Sequence, residues 1–153
     1  MNFKALSRGE LLASIGGILL GVSLFISWYS LHNSHAVVGT CHGPNSSCTG
    51  WAALTILRYL LLIPALAPAI LAWIILRGHA LSWPRGELTA VTALLALTMI
   101  LFVGVIDKPG SPPEEISVAM GWWLALVAGL LILFGSVWRA QESGARRKPP
   151  GVL

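Results

Sequence analysis

The sequence has very few charged side chains for its length. Only 10% of its 153 residues are Asp, Glu, Lys or Arg, whereas 56% are hydrophobic. A typical soluble domain carries roughly 25% charged residues. The composition therefore excludes an ordinary soluble fold and predicts an integral membrane protein of one domain. The formal net charge of +4 does not indicate a nucleic-acid partner, because the basic residues are placed as membrane orientation requires.

The sequence also lacks the motifs that carry common catalytic chemistry. It has no phosphate-binding glycine loop, no H-E-x-x-H zinc motif and no serine nucleophile motif. His79 is the only histidine outside the segment 31–50, and no acidic residue lies close to it. We therefore expect a protein that is not an enzyme and that binds no cofactor.

Four apolar stretches are long enough to cross a membrane, since a transmembrane helix needs roughly 20 residues. They cover residues 11–30, 51–76, 88–106 and 116–138. Only the second stretch contains a charged residue, which is Arg58. We predict an all-α membrane protein, with a bundle of four transmembrane helices in residues 1–139 and a polar cytoplasmic tail in residues 140–153.

Lysine and arginine are distributed unequally between the two sides of this predicted topology. The loops on one side contain only Lys108. The other side carries Lys4, Arg8, Arg77, Arg85, Arg139, Arg146, Arg147 and Lys148. Basic loops stay on the cytoplasmic side of a membrane. We therefore expect a multi-pass protein of the cell membrane with both termini in the cytoplasm, and with residues 31–50 as an outer loop.

The tryptophans support the same topology, because their amphipathic rings prefer the boundary between headgroups and hydrocarbon. All seven lie at predicted span ends. The outer ends carry Trp28, Trp51, Trp122 and Trp123, and the inner ends carry Trp73, Trp83 and Trp138.

Small residues recur at four-residue spacing in the first and fourth spans. They are Ala13, Gly17 and Gly21 in the first span, and Gly121, Ala125 and Gly129 in the fourth. Lipid gives apolar side chains no reason to cluster, so close backbone approach must hold such helices together. We expect the two stripes to pack the first span against the fourth within one chain. The alternative is that one stripe serves a homo-oligomer or a larger membrane complex.

The outer loop contains both cysteines of the chain, Cys41 and Cys48. Outside the cytoplasm two cysteines on either side of a Gly-Pro-Asn-Ser turn are expected to form a disulfide. The alternative is a copper or zinc site, since thiolate and neutral imidazole suit both ions. Its candidate ligands besides the cysteines are His32, His35 and His42.

Arg58 is a charge inside a predicted span, seven residues after Trp51. This spacing predicts that it lies about 10 Å below that tryptophan along the helix. We expect its side chain to stretch toward the outer face and to pair with Asp107 at the end of the third span. A functional alternative is that Arg58 and Asp107 line the path of a small transporter or channel.

Three segments resemble a pattern in small four-span membrane proteins of high-GC bacteria. The segments are Ser23–Tyr29, Gly50–Trp51 and Gly121–Leu126. The resemblance implies a four-span topology and, because those proteins are largely of unassigned function, it implies no activity. A second resemblance is to claudin-type four-span proteins, whose first outer loop joins a tryptophan to a cysteine pair. Trp28, Cys41 and Cys48 fit that outline.

These features predict a non-enzymatic accessory or structural subunit of a membrane assembly, surrounded by the lipid bilayer and without a nucleic-acid partner. Two alternatives stay open. One is the small transporter or channel that uses Arg58 and Asp107. The other is a thiol or metal-binding protein of the outer face.

Overall fold

The computed structural model describes residues 7–77 and 87–145, and this part of the chain is mostly helical with a small β component. The helices are α1 (Arg8–Ser23), α2 (Gly50–Ala53), α3 (Leu57–Leu76), α4 (Glu87–Leu101) and α5 (Met120–Ala145). A π-helical turn, Phe102–Ile106, continues α4, and a 3₁₀ turn covers Pro113–Glu115. The strands are β1 (Ser27–Leu31), β2 (Val37–Val38), β3 (Cys41–His42), β4 (Ser47–Thr49) and β5 (Ile116–Val118). The mostly helical character agrees with the prediction, but an all-α class leaves out these strands.

Three helices among the described residues are long and apolar enough to cross a membrane. They cover Leu57–Leu76, Glu87–Ile106 and Met120–Gln141. They correspond to the second, third and fourth predicted spans. The helix of the first predicted span, α1, has only 16 residues.

The start of α1 is a capping box, and its end is earlier than the predicted end of the first span. The Ser7 hydroxyl accepts from the Glu10 amide at 3.3 Å, and the Glu10 carboxylate accepts from the Ser7 amide at 2.9 Å. After Ser23 the chain turns, and the Trp28 indole donates to the Ser23 carbonyl at 2.8 Å. The aromatic and β-branched residues that follow suit a strand better than a helix. Residues 27–31 are therefore strand β1 and not the last turn of a span.

The long helices that correspond to the second and fourth predicted spans begin later than the sequence predicted. Leu54 has extended backbone angles, which separates α2 from α3. Trp51 and Arg58 consequently belong to two different helices. At the fourth span, residues 116–118 form strand β5, and α5 begins at Met120.

A three-stranded antiparallel sheet joins the ends of several helices. Its order is β4-β1-β5, so β1 is the central strand. Tyr29 lies opposite Cys48 of β4 on one side and opposite Val118 of β5 on the other. Because β1 follows α1, β4 precedes α2 and β5 precedes α5, the sheet holds these helix ends together. We call this end of the molecule the sheet end. Strands β2 and β3 form a separate hairpin beside it.

The long helices pack side by side, with α1 against α3 and α5, and α4 against α3 and α5. The contact of α1 with α5 is close at the level of the backbone. A Cβ added to Gly16 would lie 2.9 Å from the Ala128 carbonyl oxygen. A Cβ added to Gly135 would lie 2.6 Å from the Gly9 carbonyl oxygen. The first and last long helices therefore do pack together, largely through small residues that the sequence analysis did not single out.

The six small residues that were predicted to join α1 to α5 have several different neighbours. Ala13 lies against Gly135 of α5, Gly17 against Ala65 of α3, Gly121 against Trp28 of β1, and Gly129 against Leu97 of α4. Ala125 is fully buried, whereas no atom lies within 4 Å of a Cβ added to Gly21. Each four-residue step turns about 40° around a helix axis, so a long stripe drifts away from one neighbour toward the next.

Candidate functional site

The junction of sheet and helices is built around Trp28, whose side chain is fully buried. Its indole occupies space that two glycines leave free. A Cβ at Gly50 would lie 2.7 Å from Nε1 of this ring, and a Cβ at Gly121 would lie 2.7 Å from its Cδ1. Both Gly-Trp pairs of the sequence therefore have a packing role at this junction. Trp28 is not the headgroup anchor that the sequence analysis predicted.

Two more aromatic side chains attach the junction to the end of α4 and to the π-helical turn that continues it. The Trp122 indole donates to the Ile100 carbonyl at 2.8 Å, and the Tyr29 hydroxyl donates to the Val103 carbonyl at 3.0 Å. The Trp122 ring lies directly against Gly104. Tyr29 belongs to β1, outside the helices, and its burial raises the pKa of the phenol well above the ordinary value. The hydroxyl therefore remains a donor over the physiological range.

The predicted tryptophan belt holds for only some of its members. Trp28 and Trp122 are buried, and Trp51 is half-buried. Trp83 lies outside the described residues. More than half of the side-chain surface is exposed at Trp73, Trp123 and Trp138.

Arg58 lies in the first turn of α3 and reaches back toward α2. Its Nη1 donates to the Trp51 carbonyl at 3.0 Å, and its Nη2 donates to the Tyr59 hydroxyl at 3.2 Å. Its Cζ is 4.9 Å from the centroid of each of these two aromatic rings. At this distance each ring makes a cation–π contact with the guanidinium. We call Arg58, Trp51 and Tyr59 the arginine clamp.

The predicted pair of Arg58 and Asp107 is not formed. Both residues lie in the described ranges, and no ion pair joins them. The prediction assumed one continuous helix from Trp51 onward. The helix is interrupted at Leu54. Arg58 therefore lies at the N-terminal end of α3, next to the Trp51 carbonyl. Asp107 is exposed at the end of the π-helical turn.

An ion pair that the sequence analysis did not predict connects α1 with α5 at the end opposite the sheet. Arg139 Nη2 lies 2.7 Å from Glu10 Oε1, and both side chains are over 90% buried. Glu10 also closes the capping box of α1, so the same carboxylate caps one helix and binds the other. A narrow cavity lies beside the pair, next to Pro68 and Thr89. The capping box was visible in the sequence, but the partner of its Glu was not.

The loop after β1 contains the predicted disulfide between Cys41 and Cys48, with the two Cα atoms 5.8 Å apart. The disulfide prediction is thereby confirmed. The metal alternative needs thiolates, which this bond removes. In residues 7–77 and 87–145, no three or more His, Cys, Asp or Glu side chains gather as a metal site would require. His32, one of the candidate ligands together with His35 and His42, instead lies 3.0 Å from the Ser117 hydroxyl through its Nε2.

Comparison of the chain with family models, with curated proteins and with solved structures finds no match. The two resemblances drawn from the sequence therefore remain expectations, and no relative contributes a function.

Proposed function

We propose that the chain is a four-span integral membrane protein that acts as a non-enzymatic accessory or structural subunit of a membrane assembly. The three apolar helices supply three of the spans. The fourth would be α1, which packs beside α3 and α5 and turns apolar side chains away from them. Leu11, Ile18 and Val22 are examples, each with about half or more of its surface exposed. Such a surface is stable in lipid and unfavourable in water.

The proposed orientation places the sheet end outside the cell and both termini in the cytoplasm. Arg8 begins α1 and Arg77 follows α3, so both lie at the end opposite the sheet, together with the pair of Glu10 and Arg139. This agrees with the positive-inside rule. The disulfide at the sheet end supports the same orientation, because disulfides persist in oxidising compartments.

We call the strands β1 to β5 and the loops between them at the sheet end the head. The accessory role is supported by the way in which strand pairing and a disulfide hold this head in place. Strand β1 pairs with β4 and β5 at once, and the disulfide closes the loop between β3 and β4. The exposed tip of this head includes Thr40, His42 and Asn45. A head that is tied to several helix ends presents a constant polar surface, which suits docking to a partner protein.

Site-directed photo-crosslinking in intact cells tests this role. A photo-reactive amino acid at His42 is expected to give a discrete protein adduct, because this residue lies on the exposed tip. The matched control places the same group at Ile18, which faces lipid in the proposed topology. Native mass spectrometry in mild detergent gives the second readout. A strict monomer that forms no adduct at the head and co-purifies with no other protein would contradict the proposal.

The two alternative functions have no specific observation in their favour. A transporter or channel that uses Arg58 and Asp107 gains no support from an ion pair, since none joins these two described residues. A thiol or metal protein would need free cysteines, whereas Cys41 and Cys48 are bonded to each other.

Both family resemblances stay part of this proposal as expectations from the sequence. Gly50 and Gly121, which belong to the segments similar to the high-GC bacterial proteins, make room for Trp28. Strand β1 with Trp28 pairs with β4, which carries Cys48. That pairing is in keeping with the claudin-type outline of a tryptophan joined to a cysteine pair.

A further inference from the structure

The guanidinium of Arg58 has hydrogen-bond donors and charge that the protein does not satisfy. A guanidinium has five N–H donors. Two of them bind the Trp51 carbonyl and the Tyr59 hydroxyl, which are both neutral acceptors. Nε is buried without any acceptor. Within the described part of the chain, no carboxylate forms an ion pair with this side chain.

The position of Arg58 on α3 adds to this excess of positive charge. The N-terminus of a helix carries a partial positive charge, which favours anions and disfavours cations in the first turn. Arg58 is the second residue of α3, and the first turn contains no acidic residue. Ile56, which is the N-cap residue of α3, provides no side-chain hydrogen bond to cap the helix. An anion bound beside Arg58 would relieve the repulsion and would also satisfy free donors.

The arginine clamp leaves the Arg58 side chain half-buried and therefore partly accessible. The ring centroids of Trp51 and Tyr59 are 5.9 Å apart, and each is 4.9 Å from Cζ of Arg58. The two rings therefore lie close to each other and cover part of the guanidinium. A ligand can approach through the part of the Arg58 side chain that stays exposed.

The surroundings of the clamp are apolar and exposed. Ile56 is 72% exposed and Phe25 is 66% exposed, and the Phe25 ring stacks on Trp51 with 5.5 Å between centroids. Leu60, which lies four residues after Ile56, is also exposed. Acyl chains would cover these side chains, whereas a free inorganic anion would leave them in contact with water.

From these contacts we propose that the arginine clamp binds the phosphate group of an anionic phospholipid in the leaflet at the sheet end. The inference rests on the membrane topology proposed above. The remaining N–H groups of Nη1 and Nη2 donate to phosphate oxygens, for which arginine is well suited. An anionic head group is favoured over a zwitterionic one, since no carboxylate of the clamp is present to pair with an ammonium.

Native mass spectrometry of the purified chain, titrated with lipid in an uncharged detergent, tests the site. Three additions are compared: phosphatidylglycerol, phosphatidylcholine and inorganic phosphate. The native chain is expected to hold one phosphatidylglycerol more tightly than phosphatidylcholine, and phosphate alone should not displace it. Arg58→Gln is expected to weaken this binding by about tenfold, the effect of losing charge-assisted hydrogen bonds. Equal retention of both lipids, displacement of the lipid by phosphate, or full retention by Arg58→Gln would overturn the proposal.

The chain offers a matched control for the loss of charge. Arg77 follows the same helix at its other end, and its Cζ lies 4.9 Å from the Trp73 ring. Arg77→Gln removes the same charge from a similar aromatic neighbour, and it should keep the tightly held lipid. Equal losses in the two variants would show general attraction to interfacial arginines and would refute a specific site.

A second variant keeps the test decisive if Arg58→Gln disturbs the fold. Tyr59→Phe keeps the ring but frees Nη2, so phosphatidylglycerol should bind at least as tightly as to the native chain. Weaker binding by this variant, with the disulfide intact, contradicts the proposal. Carbonate extraction separates the two levels of the argument. A chain that carbonate washes off membranes refutes the spanning topology, whereas a resistant chain without the tight lipid refutes only the lipid site.

Discussion

At the scale of single residues, the aromatic side chains of the junction act as hydrogen-bond donors to backbone carbonyls near helix ends. The indole of Trp28 donates to the Ser23 carbonyl, and that of Trp122 donates to the Ile100 carbonyl. The hydroxyl of Tyr29 donates to the Val103 carbonyl. A buried carbonyl without a donor is unfavourable, and it is most unfavourable where water is excluded. These three contacts therefore stabilise the places where α1 ends and where α4 changes to a π-helical turn.

We predict that Tyr29→Phe destabilises the protein and changes its dependence on pH. Loss of the hydroxyl leaves the Val103 carbonyl without this donor, which should lower the free energy of unfolding by about 1 kcal/mol at neutral pH. The raised pKa of Tyr29 means that the folded state prefers the protonated phenol. Its stabilising contribution is complete below the unfolded pKa of about 10 and is lost as the pH rises above it. Unfolding midpoints measured between neutral and strongly alkaline pH should therefore decline less in Tyr29→Phe than in the native chain.

Tyr59→Phe is the control for this measurement, because Tyr59 is the only other tyrosine and is 54% exposed. It should retain the alkaline decline of the native protein. The same decline in Tyr29→Phe as in the native protein would show that the buried phenol is not its cause.

Local sequence predicted the disulfide but not the partners of the aromatic and charged residues. Cys41 and Cys48 lie close in the chain, so their spacing was sufficient. Trp28 needs glycines from two distant segments, and no local pattern contains that information. The sequence predicted the wrong partner for Arg58, because the environment of this residue depends on the interruption of the helix at Leu54.

At the scale of elements, hydropathy predicted where the long helices are and failed at their ends. An apolar run that turns from helix into strand does not change its hydrophobicity, so residues 27–31 and 116–118 were assigned to spans. The signal that could have separated them is the cluster of aromatic and β-branched residues, which favours strands. The four-residue spacing of small residues likewise predicted close packing without specifying the partner helix.

We predict opposite outcomes for two Gly→Ala substitutions in α1. At Gly16 the new Cβ would lie 2.9 Å from the Ala128 carbonyl oxygen and from the Ile132 amide of α5. Backbone atoms cannot move aside cheaply, so Gly16→Ala should destabilise the protein by about 1–3 kcal/mol. At Gly21 no atom lies within 4 Å, and alanine favours a helix by about 1 kcal/mol over glycine. Gly21→Ala should therefore be neutral or stabilising.

Unfolding midpoints in mixed detergent, measured side by side, provide the comparison. Similar losses at both positions would indicate that Gly21 meets a partner helix of a second molecule. Tolerance of alanine at Gly16 would show that α1 and α5 are further apart than the structure places them.

At the scale of the whole molecule, the proposal of four spans requires α1 to cross the membrane together with the three longer helices. Its 16 residues span only about 24 Å at 1.5 Å per residue, against a hydrocarbon core of about 30 Å. Thinning of the bilayer around a short helix costs fractions of a kcal/mol per Å. Exposing Leu11, Ile18 and Val22 of α1 to water would cost more, since apolar surface contributes about 25 cal/mol per Å². The balance favours a short fourth span.

The side of the membrane on which Arg8 lies distinguishes three spans from four. Arg8, Glu114 and Gln141 are exposed, and single cysteines at these positions leave the native cysteines bonded to each other. With four spans, a membrane-impermeant maleimide should label Glu114→Cys in intact cells, and it should label Arg8→Cys and Gln141→Cys only after permeabilisation. If only α3, α4 and α5 crossed the membrane, α1 would have to lie outside the cell, and Arg8→Cys would react in intact cells together with Glu114→Cys. Labelling of Gln141→Cys in intact cells would reverse the orientation and contradict the basic-residue argument, together with Arg8→Cys for four spans and alone for three. Because each arrangement gives a different pattern at the three positions, the experiment decides the topology on which the head and the lipid site depend.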